Sequence, residues 1–100
     1  MTSNKISICA FTGTRADFPR IKSVLEKIKI DKYFDLKIVV TGSHLLKSAG
    51  STYKEILEEN FRIDHKVKMF SDPPDDSLYG GAKAFAKCSS GIANILKNYK

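Results

Sequence analysis

Two short apolar runs, each closed by the same pair of residues, constrain this chain more than any other feature. Ile6-Ser-Ile-Cys-Ala-Phe11 ends in Thr12-Gly13, and Leu36-Lys-Ile-Val-Val40 ends in Thr41-Gly42. Short runs rich in β-branched side chains and stopped by a turn signal read as largely buried strands. Between them Phe18, Ile21, Val24, Leu25 and Ile28 recur at helical spacing, with Arg20, Lys22, Lys27 and Lys29 mostly on the other side. That spacing predicts an amphipathic helix of about three turns. Asp17 is expected at its N-cap and Pro19 in its first turn. Strand, helix, strand, with both strands apolar on both faces, is a βαβ unit in a parallel sheet.

The rest of the chain continues the alternation. Ser43 to Thr52 reads as a loop that contains His44. Thr52 is expected to cap a short helix through Glu59, with Glu55 at the capping-box position. Phe61, Ile63, Val67 and Met69 alternate with Arg62, Asp64, Lys66 and Lys68, which predicts an edge strand over 61–69 with one wet face. His65 falls on its inward side, where a packed, hydrogen-bonded histidine is expected. Ser71 to Asp76 is a Pro-containing loop. From Ser77 onward Leu78, Ala82, Phe85, Ser89, Ile92, Leu96 and Tyr99 keep the four-three rhythm of a long helix. The order β-α-β-α-β-α is half of a doubly wound sheet. The expected fold class is α/β, a three-layer Rossmann-like parallel sheet. In the strand order 3-2-1-4 a fourth strand would follow Lys100, so residues 1–100 read as an incomplete Rossmann-like domain. A flavodoxin-like order 2-1-3 would instead seat the third strand beside the first.

Composition narrows the function classes. The chain has 100 residues, 42% hydrophobic and 28% charged, which excludes disordered and fibrous classes. No apolar run approaches the ~18–20 residues of a membrane helix, and the first run is too short for a secretory leader. A cytoplasmic protein without a membrane partner is expected. Cys9 and Cys88 form no C-x-x-C pair and read as buried reduced thiols, so no metal and no redox cofactor is signalled. The net charge is +6, with nine basic and four acidic residues in the first fifty positions. No aromatic residues interleave with that charge as a base-stacking platform requires. Nucleic acid is therefore not an expected partner, and most of these lysines read as a solvated face.

In parallel α/β sheets ligands sit at the carboxyl ends of strands. The segments Thr12 to Asp17 and Thr41 to His44 meet that description. Gly13 permits a sharp turn or a close approach, the following helix offers its N-terminus, and Arg15 supplies a forked, permanently charged donor. Together they favour an anionic ligand such as a phosphate or diphosphate. An Arg15–Asp17 ion pair or a solvated loop is the plainer alternative. Neither G-x-G-x-x-G nor a P-loop pattern is present. His44 suits proton transfer or a phosphate hydrogen bond, or else is a loop histidine satisfied by backbone. Asp72, Asp75 and Asp76 lack a metal-ligand spacing and read as capping residues.

Four motifs in order carry a resemblance. Thr12-Gly-Thr-Arg-Ala-Asp-Phe18, Val39-Val-Thr-Gly-Ser-His-Leu45, Gly50-Ser-Thr-Tyr-Lys-Glu-Ile56 and Phe61-Arg-Ile-Asp64 resemble the signatures of the hydrolysing UDP-N-acetylglucosamine 2-epimerases. Ala16-Asp17 points to that branch rather than to the non-hydrolysing enzymes, which usually carry G-T-R-P-E. The resemblance implies that this is the N-terminal part of a GT-B fold, with a UDP-sugar in the cleft between two Rossmann-like domains. It implies release of UDP and a free 2-epimerised sugar, in sialic-acid-type sugar biosynthesis, by a homo-oligomeric parent. No cofactor is implied. By position Arg15 would contact the diphosphate, Gly13 and Thr14 would shape that loop, Asp17 would cap the helix and hold the loop, and His44 would line the cleft. The catalytic acid and base would lie beyond Lys100, so the 100 residues alone are expected to be inactive. Two other readings are another GT-B enzyme, such as a glycosyltransferase or non-hydrolysing epimerase, and a stand-alone α/β module for an anionic ligand.

Overall fold

A computed structural model describes residues 5–14 and 16–99. The chain runs β1 (Ile6–Thr12), α1 (Asp17–Ile30), β2 (Phe34–Thr41), two single 3₁₀ turns (Gly42–Leu45 and Lys47–Ala49), α2 (Tyr53–Glu58), β3 (His65–Val67) and α3 (Leu78–Leu96). The sheet is parallel throughout and ordered β1-β2-β3. The apolar run 36–40 thus became the central strand, as the 3-2-1 order requires, and the flavodoxin-like alternative is not the one adopted. The register sets Ile8 beside Leu36, Ala10 beside Ile38 and Thr12 beside Val40.

Period-two alternation divides β2 between two layers. Ile38 and Val40 face α1 and α2, forming a core with Phe18, Leu25, Ile56 and Phe61. Phe18 and Phe61 meet edge to face at 5.6 Å. Val39 and Thr41 face the opposite layer, against α3. There Thr41 Oγ1 donates to the Val67 carbonyl at 2.6 Å and lies 3.9 Å from Cys88 Sγ. Helices on both faces of a parallel sheet complete the α/β layering expected of a Rossmann-like half.

Two elements depart from expectation. The alternating segment 61–69 forms a ladder only over His65–Val67. Asp64 is the reason. Its backbone N–H donates to the Ile38 carbonyl at 2.9 Å, and its side-chain Oδ2 accepts the Ile38 N–H at 2.8 Å. The carboxylate does what a strand backbone would have done, so the ladder starts one residue later. Phe61 and Ile63 therefore pack on the α1 side, whereas Val67 packs against α3. His65 is half-buried, and its Nε2 shares a 2.8 Å hydrogen bond with the Tyr99 hydroxyl.

The second departure is in α3. Its N-cap is Ser77, whose hydroxyl accepts from Gly80 N–H at 3.0 Å. Its buried side runs through Ala84, Cys88, Gly91 and Ile95, while Leu78 and Phe85 of the four-three stripe stay 95% and 73% exposed. Gly91 decides the orientation. A Cβ there would sit 2.6 Å from Val67 Cγ1, so only glycine lets the helix approach β3 this closely.

Helix α2 has six residues, and among them only Ile56 is buried, with no exposed surface. Ile56→Ala is expected to cost about 2–5 kcal/mol of unfolding free energy. A shift in the urea midpoint at constant slope is the measurement. A loss well below 1 kcal/mol would mean that α2 is not docked through this side chain.

Candidate functional site

The turns after β1 and β2 meet at the carboxyl edge of the sheet, and Gly13 is where they touch. Its carbonyl accepts from Ser43 Oγ at 3.2 Å and from the His44 N–H at 3.4 Å. Gly42 has φ +62°, a left-handed conformation that strains other residues. A Cβ on Gly42 would lie 2.5 Å from the Gly13 oxygen. Both conformation and space therefore demand glycine at this crossing.

Asp17 organises the turn after β1. Its Oδ2 accepts the N–H of Gly13 at 3.1 Å and of Thr14 at 3.0 Å. In return Asp17 N–H donates to Thr14 Oγ1 at 3.3 Å. This reciprocal pair has the bonding pattern of a capping box, but it lies just ahead of the helix, whose N-cap is Ala16. Asp17 is the first residue of α1 and not its N-cap, because its carboxylate reaches back to the turn. The consequence for ligand binding is direct. Two amides that a glycine turn would offer to an anion are already held by a carboxylate, and Pro19 contributes no N–H to the helix start. An anion at this turn would have to be met by side chains more than by these two amides. These amide bonds, Gly13 foremost, hold the Asp17 carboxyl below the usual carboxylate range.

His44 lies beneath this crossing with 1% of its surface exposed. Its Nε2 is 2.9 Å from Thr12 Oγ1, and its Nδ1 is 2.9 Å from Thr52 Oγ1. Thr12 and Thr52 are themselves buried. Thr52 was expected to cap α2, yet it makes no side-chain cap bond there. Its hydroxyl turns inward to the imidazole instead. Burial pushes the imidazole below its ordinary value, against an upward pull from Asp17 and Glu55. The ring is thus neutral near pH 7, one nitrogen donating and the other accepting. Expected to line a cleft, His44 is packed inside with both nitrogens engaged.

The structure brings Gly13, Thr14 and His44 together at one edge. Arg15 lies outside the described residues. The sequence reading missed Thr12 and Thr52 as partners of His44. Their signal was present only as hydroxyls next to a turn and before a helix, where other uses are commoner. Among the described residues no group of three or more His, Cys, Asp or Glu could hold a metal ion. No helix among them is long and apolar enough to cross a membrane.

Two outcomes are expected here. Gly42→Ala should destabilise the fold by about 1–3 kcal/mol from the left-handed backbone alone, before any displacement of Gly13. A denaturation midpoint equal to wild type would contradict the crossing. Asp17 is ionised in the fold at a pH where the unfolded chain already binds a proton. Its contribution is present above the ordinary carboxylate value and is lost as pH falls through the lower folded value. Asp17→Asn should flatten that acid limb of a stability-versus-pH curve, and an unchanged limb would remove the role given to its carboxylate.

No family model matches the chain. Three curated proteins are similar to it. A "GDP/UDP-N,N'-diacetylbacillosamine 2-epimerase (hydrolyzing)" of Campylobacter jejuni is 39% identical over 97 residues, 97% of this chain and 24% of that protein. A "UDP-N-acetylglucosamine 2-epimerase" of Neisseria meningitidis serogroup B is 44% identical over 55 residues, 55% of this chain and 15% of that protein. A "UDP-N,N'-diacetylbacillosamine 2-epimerase (hydrolyzing)" of Legionella pneumophila is 42% identical over 52 residues, 52% of this chain and 14% of that protein. The match spans at most about a quarter of each relative's length. The resemblance carried by the four motifs is borne out.

Proposed function

We propose that this chain, 39% identical to one hydrolysing UDP-sugar 2-epimerase along almost all of its length, forms the N-terminal Rossmann-like part of such an enzyme. The observation that carries this reading is the 39% identity over 97% of the chain, joined to two strand-end turns locked together at the carboxyl edge of a parallel sheet. That edge is where α/β sheets bind ligands. The enzyme would have the two-domain GT-B architecture, and residues 1–100 would form one portion of its first domain. Its substrate would be UDP-N-acetylglucosamine or a related UDP-diacetamido sugar. UDP would be eliminated to a glycal-like intermediate, and water would then add at the anomeric carbon, giving a free 2-epimerised sugar such as N-acetylmannosamine. The product suits sialic-acid-type sugar synthesis in the cytoplasm, by a homo-oligomer.

Within this chain the contribution is binding. Arg15 meets the diphosphate as a forked cation, a task that backbone amides held by Asp17 leave open. Gly13 and Thr14 fix the loop that presents it. Proton transfers in the elimination and addition belong to the remainder of the longer protein, so these 100 residues alone bind at most and do not turn over.

The test is direct. The longer protein carrying this chain should release UDP and a free 2-epimerised sugar from one of those UDP-sugars. Release of neither product from either substrate would defeat the reading. Arg15→Ala in that protein should raise KM about tenfold or more, the scale of a lost charge-assisted hydrogen bond. An unchanged KM would remove Arg15 from the binding role.

A further inference from the structure

We infer that His44 is a positioning residue, whose ring, strung between two threonine hydroxyls, sets where the Gly13–Thr14 turn meets the phosphates of a UDP-sugar. The inference rests on the reading just given, and adds to it a group that acts without touching the ligand.

Three segments converge on the one ring. Thr12 ends β1, Thr52 precedes α2, and His44 sits in the turn after β2. Each hydrogen bond is 2.9 Å, and the ring is almost wholly removed from solvent. A ring so enclosed presents no free nitrogen to a substrate. It does, however, fix its own turn, and that turn supplies both donors on the Gly13 carbonyl, the His44 N–H and Ser43 Oγ. Gly13 in turn hands its N–H to Asp17. The chain of dependence is thus Thr52, His44, Gly13, Asp17, and it ends where the turn after β1 meets the start of α1. Threonine is suited to both ends because a hydroxyl can donate to one imidazole nitrogen and accept from the other. Among the described residues, Asp17 at the start of α1 and Glu55 in α2 favour protonation of the ring, and burial overrides both.

The arrangement separates two kinds of histidine. A ring that handles protons in turnover loses kcat when replaced, whatever happens at Thr52. A positioning ring loses ligand affinity, and loses it equally when its distant anchor is cut. Thr52→Val cuts that anchor with little change of shape, and His44→Gln keeps one donor and one acceptor on the side chain.

The experiment uses the longer protein carrying this chain, with UDP as the probe. UDP affinity is read by calorimetry, turnover on the UDP-sugar is read separately, and the imidazole nitrogens are followed by NMR from pH 5.5 to 8. The His44 nitrogens should show one fixed neutral tautomer throughout. Thr52→Val should weaken UDP binding by about threefold to tenfold, the scale of one net hydrogen bond, with KM rising in step and kcat within twofold. His44→Leu should weaken UDP binding more than His44→Gln does. Tyr99→Phe removes the His65 hydrogen bond on the other layer, so it should lower thermal stability and leave UDP affinity alone.

Wild-type UDP affinity in Thr52→Val would overturn the proposal. So would a His44 resonance that titrates at its ordinary value, or a His44→Gln protein with intact UDP affinity and abolished kcat. Equal losses of UDP affinity in Tyr99→Phe and Thr52→Val would also overturn it, since a general loss of stability would then account for both. A protein that binds UDP yet releases no sugar defeats the epimerase reading and leaves positioning to be judged on affinity and spectra. A wild-type protein that binds no UDP overturns both.

Discussion

The parallel pairing of β1 with β2 is the constraint on which the rest of the molecule depends. Its register places Thr12 opposite Val40, so both strands run out at the same level and their turns must share one space. That shared space is why the two turns carry Gly13 and Gly42. It is also why the imidazole can be buried there, since the hydroxyl that ends β1 and the helix that follows β2 enclose it. A slip of one residue would exchange the faces of β2, setting Val39 and Thr41 against α1 and dispersing the Ile38–Val40 core. Packing and site geometry are therefore one choice of register.

Much of the fold was legible because it rests on local periodicity. The two apolar runs, the α1 spacing and the Ser77 start of α3 correspond to the observed elements within two or three residues. What was not legible rests on long-range partners. Nothing near Asp64 in the sequence announces that its carboxylate will take the Ile38 N–H and shorten β3. Nothing in the α3 pattern reveals that Val67 will claim the glycine side of the helix and turn Phe85 outward. A threonine before a helix with a glutamate three residues on is the pattern of a cap, and Thr52 with Glu55 fits it. A buried imidazole nitrogen eight residues away competed for the hydroxyl and won.

The site followed the same division. That Gly13, Thr14 and His44 would gather at one edge was implied by strand ends alone. That the loop would be pre-filled by its own anion was not. A carboxylate on the Gly13 and Thr14 amides orders the turn before any ligand arrives, at the cost of the backbone's own affinity for anions. The turn thus spends the polarity of these two amides on its own shape.

One further feature concerns the free side of the sheet. Within the described residues β1 pairs on one flank alone, and Phe11 stands 39% exposed beside that flank. Unpaired N–H and C=O groups next to an aromatic ring are a template for one more strand. A strand supplied by a longer protein would pair with that flank, and would turn β1 from an edge into an interior strand of the sheet.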